Sequence, residues 1–365
     1  MKKVFVGLSG GVDSSVTALL LQRQGYEVVG VYMKNWTQDL PGIKCPWQED
    51  YQDAKRVAVQ LGIEFKMYDF EKDYKQRVVD YMLREYQAGH TPNPDIMCNQ
   101  EVKFKLFLET ALADGADLIA TGHYARTKGG KLYTAKDANK DQTYFLYRVG
   151  GEALKKTIFP LGGLSKPQVR RLAKQHELVT ADKKDSMGIC FVGKVGIKDF
   201  LLQYVKPKTG KIISQKGQVL GSHDGAIFYT IGQRHGLEVG GGLPYYVTGK
   251  DMKKNEVYVT TDLQDKNLWS SELKLADIFW INNEPKSLET RASRHEPKNS
   301  QLAATGSRLY VRTRHRAKLV PVKKLDLLSN SRATAELNDE VRALTPGQSA
   351  VFYWGELCLG GGILV

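Results

Sequence analysis

The sequence predicts an α/β fold, in which a doubly wound parallel-sheet domain is followed by a small β-rich domain and a C-terminal β-barrel. Three observations lead to this class. Apolar strands alternate with helical stretches over the first third, a Gly-rich texture with β-prone runs begins near Gly210, and short strands continue to the C-terminus. Strands separated by helices favour a parallel sheet that binds its ligand at the C-terminal strand edge, and short strands with frequent turns favour a barrel. The predicted domains are 1–205, 206–272 and 273–365.

The elements of the first domain follow from apolar runs and the residues that stop them. The run KKVFVGL is a strand, a glycine turn follows, and a helix covers Ser14–Gln24 and stops at Gly25. The further predicted strands are YEVVGVYMKNW, IEFKMYDF and ADLIATGHYA. The further predicted helices are WQEDYQDAKRVAVQLG, the stretch Asp69–Gln87 and VKFKLFLETALADG.

The chain is strongly basic. Its 53 Lys and Arg against 40 Asp and Glu give a formal net charge of +13. This balance favours a polyanionic partner, nucleic acid first and a membrane surface second, with solubility alone as the alternative explanation. No apolar run approaches 18 residues, and glycines interrupt the first one, so we expect neither a membrane span nor a signal peptide. The four cysteines lack C-x-x-C spacing, which argues against a zinc ribbon and favours reduced thiols in the cytoplasm.

The stretch SGGVDSS has the form of a phosphate-binding loop without its lysine. It follows the first predicted strand and opens the first helix, so backbone N–H groups and the helix dipole point at one spot. The Walker A loop places a lysine on the β and γ phosphates, whereas this chain has Asp13 between Val12 and Ser14. An ordinary glycine turn capped by serine or aspartate is the alternative interpretation.

The loop resembles the PP-loop of the N-type ATP pyrophosphatases, which cleave ATP between the α and β phosphates and need no lysine on the γ phosphate. The resemblance implies a PP-loop domain that adenylates its substrate and releases pyrophosphate. It also implies that backbone amides and serine hydroxyls hold the pyrophosphate and that Asp13 helps to hold Mg²⁺. The implied ATP-binding residues are Gly7, Leu8, Ser9, Gly10, Gly11, Val12, Asp13, Ser14, Met33 and Gly122.

Further blocks narrow the resemblance to one family. They are, in chain order, GVYMKNW, TPNPDIMCNQEVKF, ATGHYAR, KDQTYFLY, KKDSMGICFVG, IGQRHGL and GQSAVFYWGELCLGGG. Together they are similar to the tRNA-specific 2-thiouridylase family over essentially the whole chain. Members of that family place sulfur on C2 of the wobble uridine in tRNAs for Lys, Glu and Gln. The resemblance implies a cytoplasmic, ATP-dependent sulfurtransferase that takes sulfur from a persulfide donor, either a cysteine desulfurase or a sulfur-relay protein.

Two cysteines lie in settings that suit sulfur chemistry. Thiolation of a carbonyl carbon needs a sulfur nucleophile, and a thiolate attacks well in electropositive surroundings. Cys190 follows Lys183 and Lys184, and Cys98 lies at the threshold of a predicted helix, where the dipole favours a thiolate. The resemblance implies that Cys190 carries the persulfide and that Cys98 releases its sulfur, forming a transient Cys98–Cys190 disulfide. By the same resemblance, Asp95 is the candidate acid/base residue.

The alternative is that Cys98 and Cys190 are buried small hydrophobic residues, the common fate of a cysteine outside a disulfide. For Cys358, which lies in a terminal strand pattern, core packing is the better interpretation. Cys45 lies in a predicted loop, and no neighbour indicates its role.

A basic stretch in the third domain predicts contacts with tRNA phosphates. Residues 301–324 include no acidic side chain, and Arg312, Arg314, Arg316 and Lys318 fall on one face of a predicted strand by the period of two. A solvated charged face is the alternative. The tRNA contacts implied by the resemblance are Asn93, Pro94 and Asp95 around a flipped uridine, and His123, Lys140, Asp141, Gln142, Arg314, His315 and Gln348 elsewhere.

Two other functions remain open at this point. An adenylating amidotransferase or synthetase, such as an argininosuccinate-synthetase-like enzyme, would share the loop but would need no cysteine pair. A tRNA-binding protein with a degenerate loop would consume no ATP, although the intact SGGVDSS speaks against it.

Overall fold

The computed structural model describes residues 1–39, 44–185, 196–240, 242–282 and 309–365. The strands of the first part are β1 (Lys3–Gly7), β2 (Glu27–Lys34), β3 (Glu64–Asp69), β4 (Leu118–Ala120), β5 (Arg126–Lys128), β6 (Lys131–Tyr133) and β7 (Thr157–Ile158). Those of the second are β8 (Gly210–Ser214), β9 (Val219–His223), β10 (Tyr246–Asp251) and β11 (Glu256–Thr260). Those of the third are β12 (Trp269–Trp280), β13 (Leu309–Arg312), β14 (Val320–Leu328), β15 (Arg332–Arg342), β16 (Ser349–Trp354) and β17 (Leu357–Leu364).

The first sheet is parallel, in the order β3-β2-β1-β4-β7. Its central strand β1 is completely buried at Val4, Phe5 and Val6, as expected of a strand covered by helices on both faces. The chain leaves β1 towards β2 on one side and later returns to β4 on the other. This reversal places the topological switch point, where doubly wound folds bind ligands, at the C-terminal ends of β1 and β4. The predicted fold class is confirmed.

Short and medium helices connect these strands. They are α1 (Val12–Arg23), α2 (Trp47–Leu61), α3 (Glu71–Tyr74), α4 (Asp80–Gln87), α5 (Pro94–Met97), α6 (Phe107–Ala113), α7 (Thr143–Leu146), α8 (Gly151–Lys155), α9 (Lys166–Gln175) and α10 (Ile197–Leu201). π-Helical segments at Lys75–Val79 and Cys98–Leu106 make α3 continuous with α4 and α5 continuous with α6. None of the helices in the described ranges is long and apolar enough to cross a membrane.

Several boundaries differ from the predicted ones. The first helix begins at Val12 rather than Ser14, and the strand predicted over ADLIATGHYA is limited to β4. The helix predicted from VKFKLFLETALADG begins earlier, at Pro94, because Asn93 caps it and the missing N–H of Pro94 costs nothing in the first turn.

The second and third parts are β structures. The small sheet has the order β10-β11-β8-β9. The last six strands close into an antiparallel barrel in the order β12-β15-β14-β13-β16-β17, with β17 pairing back to β12. The hairpin β5–β6 pairs with β17 through Leu132 and Cys358, so the first domain and the barrel share one sheet. Cys358 is buried there, as predicted.

The prediction of one charged strand face in the barrel was wrong. Strand β13 ends at Arg312, and the next residues form a turn in which the N–H of Ala317 donates to the carbonyl oxygen of Arg314 at 3.1 Å. Arg316 has φ +62°, a left-handed conformation that lies outside the extended region. The period of two therefore does not apply beyond Arg312, and Lys318 does not share its face.

Candidate active site

The loop between β1 and α1 forms a tight cradle at the C-terminal edge of the parallel sheet. Gly10 has φ +74°, and a Cβ at this position would lie 2.4 Å from the carbonyl oxygen of Asp50, so only glycine fits. Ser14 Oγ accepts from the N–H of Ser9 at 3.1 Å and donates to the carbonyl oxygen of Gly11 at 3.0 Å. The serine hydroxyls thus shape the loop, and the first-turn N–H groups of α1 are the donors that an anion would meet.

Asp13 is held by a lysine that the sequence analysis missed. Lys166 Nζ lies 2.8 Å from both carboxylate oxygens of Asp13, and Tyr124 Oη donates to the same carboxylate at 2.8 Å. Lys166 is the first residue of α9, a position where the helix dipole disfavours a cation. That unusual placement, in the segment SKPQVRR, was the signal that could have identified this lysine.

Asp185 connects the same lysine to two further cations. Its carboxylate lies 2.8 Å from Lys166 Nζ, 2.7 Å from Lys140 Nζ and 2.5 Å from a guanidinium nitrogen of Arg170. Burial opposes the charged form of Asp185, but the hydrogen bonds from Lys140 and Lys166 outweigh it and lower the pKa of this carboxyl. Lys166 is therefore shared by two carboxylates beside the loop.

Predicted ATP-binding residues from three segments meet at this edge. A Cβ on Gly122 would lie 2.9 Å from backbone atoms of both Asp13 and Ser14, so this glycine lets the loop after β4 touch the start of α1. A Cβ on Gly7 would lie 2.9 Å from Cε of Met33, which is the penultimate residue of β2. The fold thus brings together all three segments, and their contact with ATP stays a prediction.

Cys98 and Asp95 share the helix formed by α5 and its continuation. The side chain of Asn93 accepts from the N–H groups of Asp95 at 3.1 Å and Ile96 at 3.4 Å. Burial raises the pKa of Asp95, although Lys103 opposes the shift, and a raised pKa suits a carboxyl that exchanges protons near neutral pH. Cys98 is 2% exposed and lies in the second turn, where the helix dipole acts weakly. The dipole therefore favours a thiolate less than the predicted position at the threshold implied.

Cys190 lies outside the described residues, so its pairing with Cys98 stays a prediction. Of the two lysines expected to make its surroundings electropositive, Lys183 and Lys184, the first is paired with two carboxylates. Lys183 Nζ donates to Asp50 at 2.7 Å and to Asp53 at 2.6 Å, so two carboxylates offset its charge.

His123 has an aromatic environment. Its ring lies 5.6 Å from that of Phe104 and 6.1 Å from that of Phe159, and its Nδ1 is 2.8 Å from Thr121 Oγ1. Burial lowers the pKa of His123 well below its ordinary value, so the imidazole is neutral at physiological pH. The geometry favours a neutral hydrogen-bonding histidine over an acid that titrates near neutral pH, and the predicted contact of His123 with tRNA stays a prediction.

Asp141 and Arg312 form an ion pair between the first domain and the barrel. Asp141 is 3% exposed and accepts from the N–H of Ala135 at 3.0 Å, from Thr143 Oγ1 at 2.8 Å and from Arg312 Nη1 at 3.2 Å. Arg312 therefore points into the protein instead of towards phosphate, and Asp141 makes no exposed surface for tRNA.

The remaining predicted tRNA contacts also engage protein groups. Gln142 accepts from the N–H of Tyr124, and Gln348 donates to the carbonyl oxygen of Thr91. Arg314 donates to the carbonyl oxygen of Ala343 and to Thr345 Oγ1. The ring of His315 lies 4.4 Å from the ring of Phe145. These contacts place the side chains where the first domain, the small β domain and the barrel meet. Their role in binding tRNA stays a prediction.

Comparison with known proteins gives matches along the whole chain. Three family models match in order: a tRNA methyl transferase HUP domain at residues 2–194, a tRNA methyl transferase PRC-barrel domain at 198–261 and an aminomethyltransferase beta-barrel domain at 270–364. A solved 4-thiouridine synthetase–RNA complex with bound ATP shares 19% identity over 55% of this chain and 50% of its own, with a TM-score of 0.37, which is too low to support an inference.

Curated relatives are far more similar. The tRNA-specific 2-thiouridylase MnmA of Bacillus subtilis (strain 168) is 46% identical over 367 residues, which cover 99% of this chain and 94% of that protein. The protein of the same name from Pediococcus pentosaceus is 44% identical over 371 residues, with the same coverage of 99% and 94%. On this similarity, the chain belongs to the tRNA-specific 2-thiouridylase family.

Proposed function

We infer that this chain is an ATP-dependent tRNA 2-thiouridylase that adenylates C2 of the wobble uridine and then replaces its oxygen with sulfur. The full-length similarity to curated 2-thiouridylases supports this activity. The descriptions of the matched family models instead name methyl and aminomethyl transfer. An ATP-binding cradle is what adenylation requires and what methyl transfer does not, so the site favours thiolation over the activity in those descriptions.

The observation that carries the proposal is the position of Lys166 beside the PP-loop, within 2.8 Å of both Asp13 and Asp185. A pyrophosphate at the start of α1 would meet the first-turn N–H groups and this ammonium together. Gly10 and Gly122 also fit a tight phosphate-binding loop. A side chain at Gly10 would collide with Asp50, and one at Gly122 would collide with the loop itself. The site therefore stabilises negative charge on the group that leaves when ATP is cleaved between its α and β phosphates.

The donors near the loop also fit Mg²⁺. At ATP sites this ion binds one or two carboxylates together with phosphate oxygens, and it neutralises charge on the departing phosphates. Asp13 would supply the carboxylate once Lys166 pairs with phosphate, and Asp185 would keep Lys140 and Arg170 as partners. We therefore propose that Mg²⁺ binds beside Asp13.

The proposed chemistry has two steps. In the first, O2 of the flipped uridine attacks the α-phosphorus, the bond to the β phosphate breaks, and pyrophosphate leaves. In the second, the terminal sulfur of a Cys190 persulfide attacks C2 and AMP leaves with the original oxygen. Cys98 attacks the inner sulfur of Cys190, and the bond from that sulfur to the transferred sulfur breaks, with its electron pair staying on the sulfur now bound to C2. The resulting Cys98–Cys190 disulfide is reopened by an external reductant. Asp95, whose pKa is raised by burial, is the proposed acid/base group.

The partners are the tRNAs for Lys, Glu and Gln and a persulfide donor, either a cysteine desulfurase or a sulfur-relay protein. The test combines the purified chain with one such tRNA, ATP, Mg²⁺ and a persulfide donor, followed by mass spectrometry of the nucleosides and nucleotides. We expect 2-thiouridine with AMP and pyrophosphate. ADP with phosphate, or a methylated nucleoside, would contradict the proposal.

A further inference from the structure

Arg148 occupies a buried position between the first domain and the barrel, with 9% of its side chain exposed. Its Nε donates to Gln100 Oε1 at 2.6 Å, its Nη1 donates to the carbonyl oxygen of Asp277 at 3.1 Å, and its Nη2 lies 2.9 Å from Asp277 Oδ2. The guanidinium also packs over the rings of Tyr147 and Phe279, 5.8 and 5.7 Å from their centres. A planar guanidinium with several fixed donors holds both partners in a defined geometry.

On the barrel side, the backbone of β12 is distorted at this contact. Asp277 has φ +50°, which is unfavourable for a residue other than glycine. The register between β12 and β17 shifts here, so that Asp277 and Ile278 oppose the single residue Gly362. Bulges and strained residues persist where the surrounding contacts hold them, and they are frequent near functional sites. This bulge presents both the carbonyl and the carboxylate of Asp277 to Arg148.

On the other side, Arg148 holds the helix that carries Cys98. Gln100 lies two residues after Cys98 in the π-helical segment Cys98–Leu106, a type of distortion that often marks functional sites. Asn99, which lies between Cys98 and Gln100, is held by the segment that also contains Arg148. Its Nδ2 donates to the carbonyl oxygen of Phe145 at 3.0 Å. Both side chains that follow Cys98 are therefore fixed by residues 143–148.

We propose that Arg148 is a positioning residue, and that the contacts Asp277–Arg148–Gln100 fix the Cys98 helix relative to the barrel. The inference rests on the proposed function for its meaning, since Cys98 is the proposed nucleophile. In this arrangement, strand β12 of the barrel sets where Cys98 lies. Arg148 touches no reacting atom and acts through Gln100.

Two variants of Asp277 test the contacts without removing a buried group, because this side chain is 61% exposed. Asp277→Gly suits the positive φ but takes the carboxylate from buried Arg148, so we expect a lower thermal stability with the fold retained, because the carbonyl oxygen of residue 277 and Gln100 still accept from the guanidinium. Asp277→Asn keeps an acceptor oxygen for Arg148 and also tolerates the left-handed backbone, so it serves as the matched control.

Three quantities are measured: tRNA affinity, single-turnover thiolation with a persulfide donor, and the alkylation rate of Cys98 by peptide mass spectrometry, with buried Cys358 as internal reference. For Asp277→Gly we expect unchanged tRNA affinity, thiolation slowed ~10-fold because a small misplacement of a reacting group is costly, and faster alkylation of Cys98. Asp277→Asn should stay close to wild type in all three.

Wild-type thiolation and wild-type Cys98 alkylation in Asp277→Gly would overturn the inference, as would equal losses in both variants. Failure of the proposed function gives a different result. In that case the wild-type protein thiolates no tRNA, while the alkylation comparison still decides whether Asp277 fixes the Cys98 helix.

Discussion

The ammonium of Lys166 lies 2.8 Å from both carboxylate oxygens of Asp13, although the two residues are 153 positions apart in the chain. A Walker A loop carries a lysine within its own sequence, whereas the lysine beside this loop belongs to the start of α9. The same ammonium also lies 2.8 Å from a carboxylate oxygen of Asp185. Under the proposed function, Lys166 would pair with a phosphate while Asp13 turns to Mg²⁺, so both side chains would keep a partner of opposite charge.

Replacing Lys166 by Met should slow AMP formation strongly while leaving tRNA affinity unchanged. The variant keeps the length of the side chain and removes the charge that we propose stabilises the departing pyrophosphate, a loss that costs ~10²-fold in comparable sites. The measurement is AMP release per enzyme with saturating tRNA and ATP. Lys174→Met, on the same helix and paired with exposed Asp182, is the matched control and should retain wild-type turnover. Equal turnover in both variants would exclude a role for Lys166.

Asp185 should make the stability of the protein depend on pH in the acid range. The pKa of its carboxyl is lowered in the folded protein from the ordinary 3.8, so its stabilising contribution is complete above that value and is lost as the pH falls towards the folded pKa. The melting temperature of Asp185→Asn should therefore lie below that of the wild type near neutral pH, and the gap should narrow below about pH 4. Asp182→Asn, at an exposed position on the same segment, should show no such pattern. A gap that stays constant with pH would contradict the assignment.

The local features of the site could be predicted from the sequence because each depends on neighbouring residues. The loop from Gly7 to Ser14 was recognised because glycines and serines follow a strand directly, and Gly122 because it follows a later strand at the same edge. Lys166 and Arg148 were missed for the opposite reason. Their partners are distant in the sequence, and nothing local distinguishes a lysine or arginine that folds back onto a loop from one in solvent.

The barrel shows where a pattern misleads. Alternation from Arg312 onwards predicted one charged face, but a pattern of period two does not reveal that the backbone turns at Arg314 and adopts a positive φ at Arg316. A long-range ion pair with Asp141 then turns Arg312 inwards. By contrast, the start of α5 could have been predicted locally, because Asn93 followed by Pro94 is a typical helix start.

Substitution of Arg312 should lower the stability of the fold, whereas substitution of the exposed basic residues that follow it should not. Arg312→Ala leaves the carboxylate of Asp141 buried without its cation, and it should destabilise the fold by about 3 kcal/mol. Arg316 and Lys318 are exposed, so replacing both by Gln should leave the melting temperature unchanged. Thermal unfolding of the two variants measures this difference, and an unaltered stability of Arg312→Ala would contradict the structural role of the pair.

The Arg316→Gln, Lys318→Gln double variant should also change the salt dependence of tRNA binding. If each cation neutralises one phosphate, the slope of log affinity against log salt falls by roughly one for each residue removed. Binding isotherms between low and moderate salt give the slope, with cognate and non-cognate tRNA affected alike. An unchanged slope would mean that this turn is a solvated surface that does not contact tRNA.

The two proposed catalytic cysteines should fail at different steps. Cys190→Ser should bind ATP and tRNA but accept no persulfide, whereas Cys98→Ser should accumulate a persulfide on Cys190 and release little 2-thiouridine. After one turnover without reductant, the wild type should contain a Cys98–Cys190 disulfide, which peptide mass spectrometry detects. Cys45→Ser is the matched control, because its hydroxyl can still donate to the carbonyl oxygen of Trp36 as the thiol does, and it should keep full activity. Full thiolation by Cys98→Ser with a persulfide donor would refute its role as the residue that releases the sulfur.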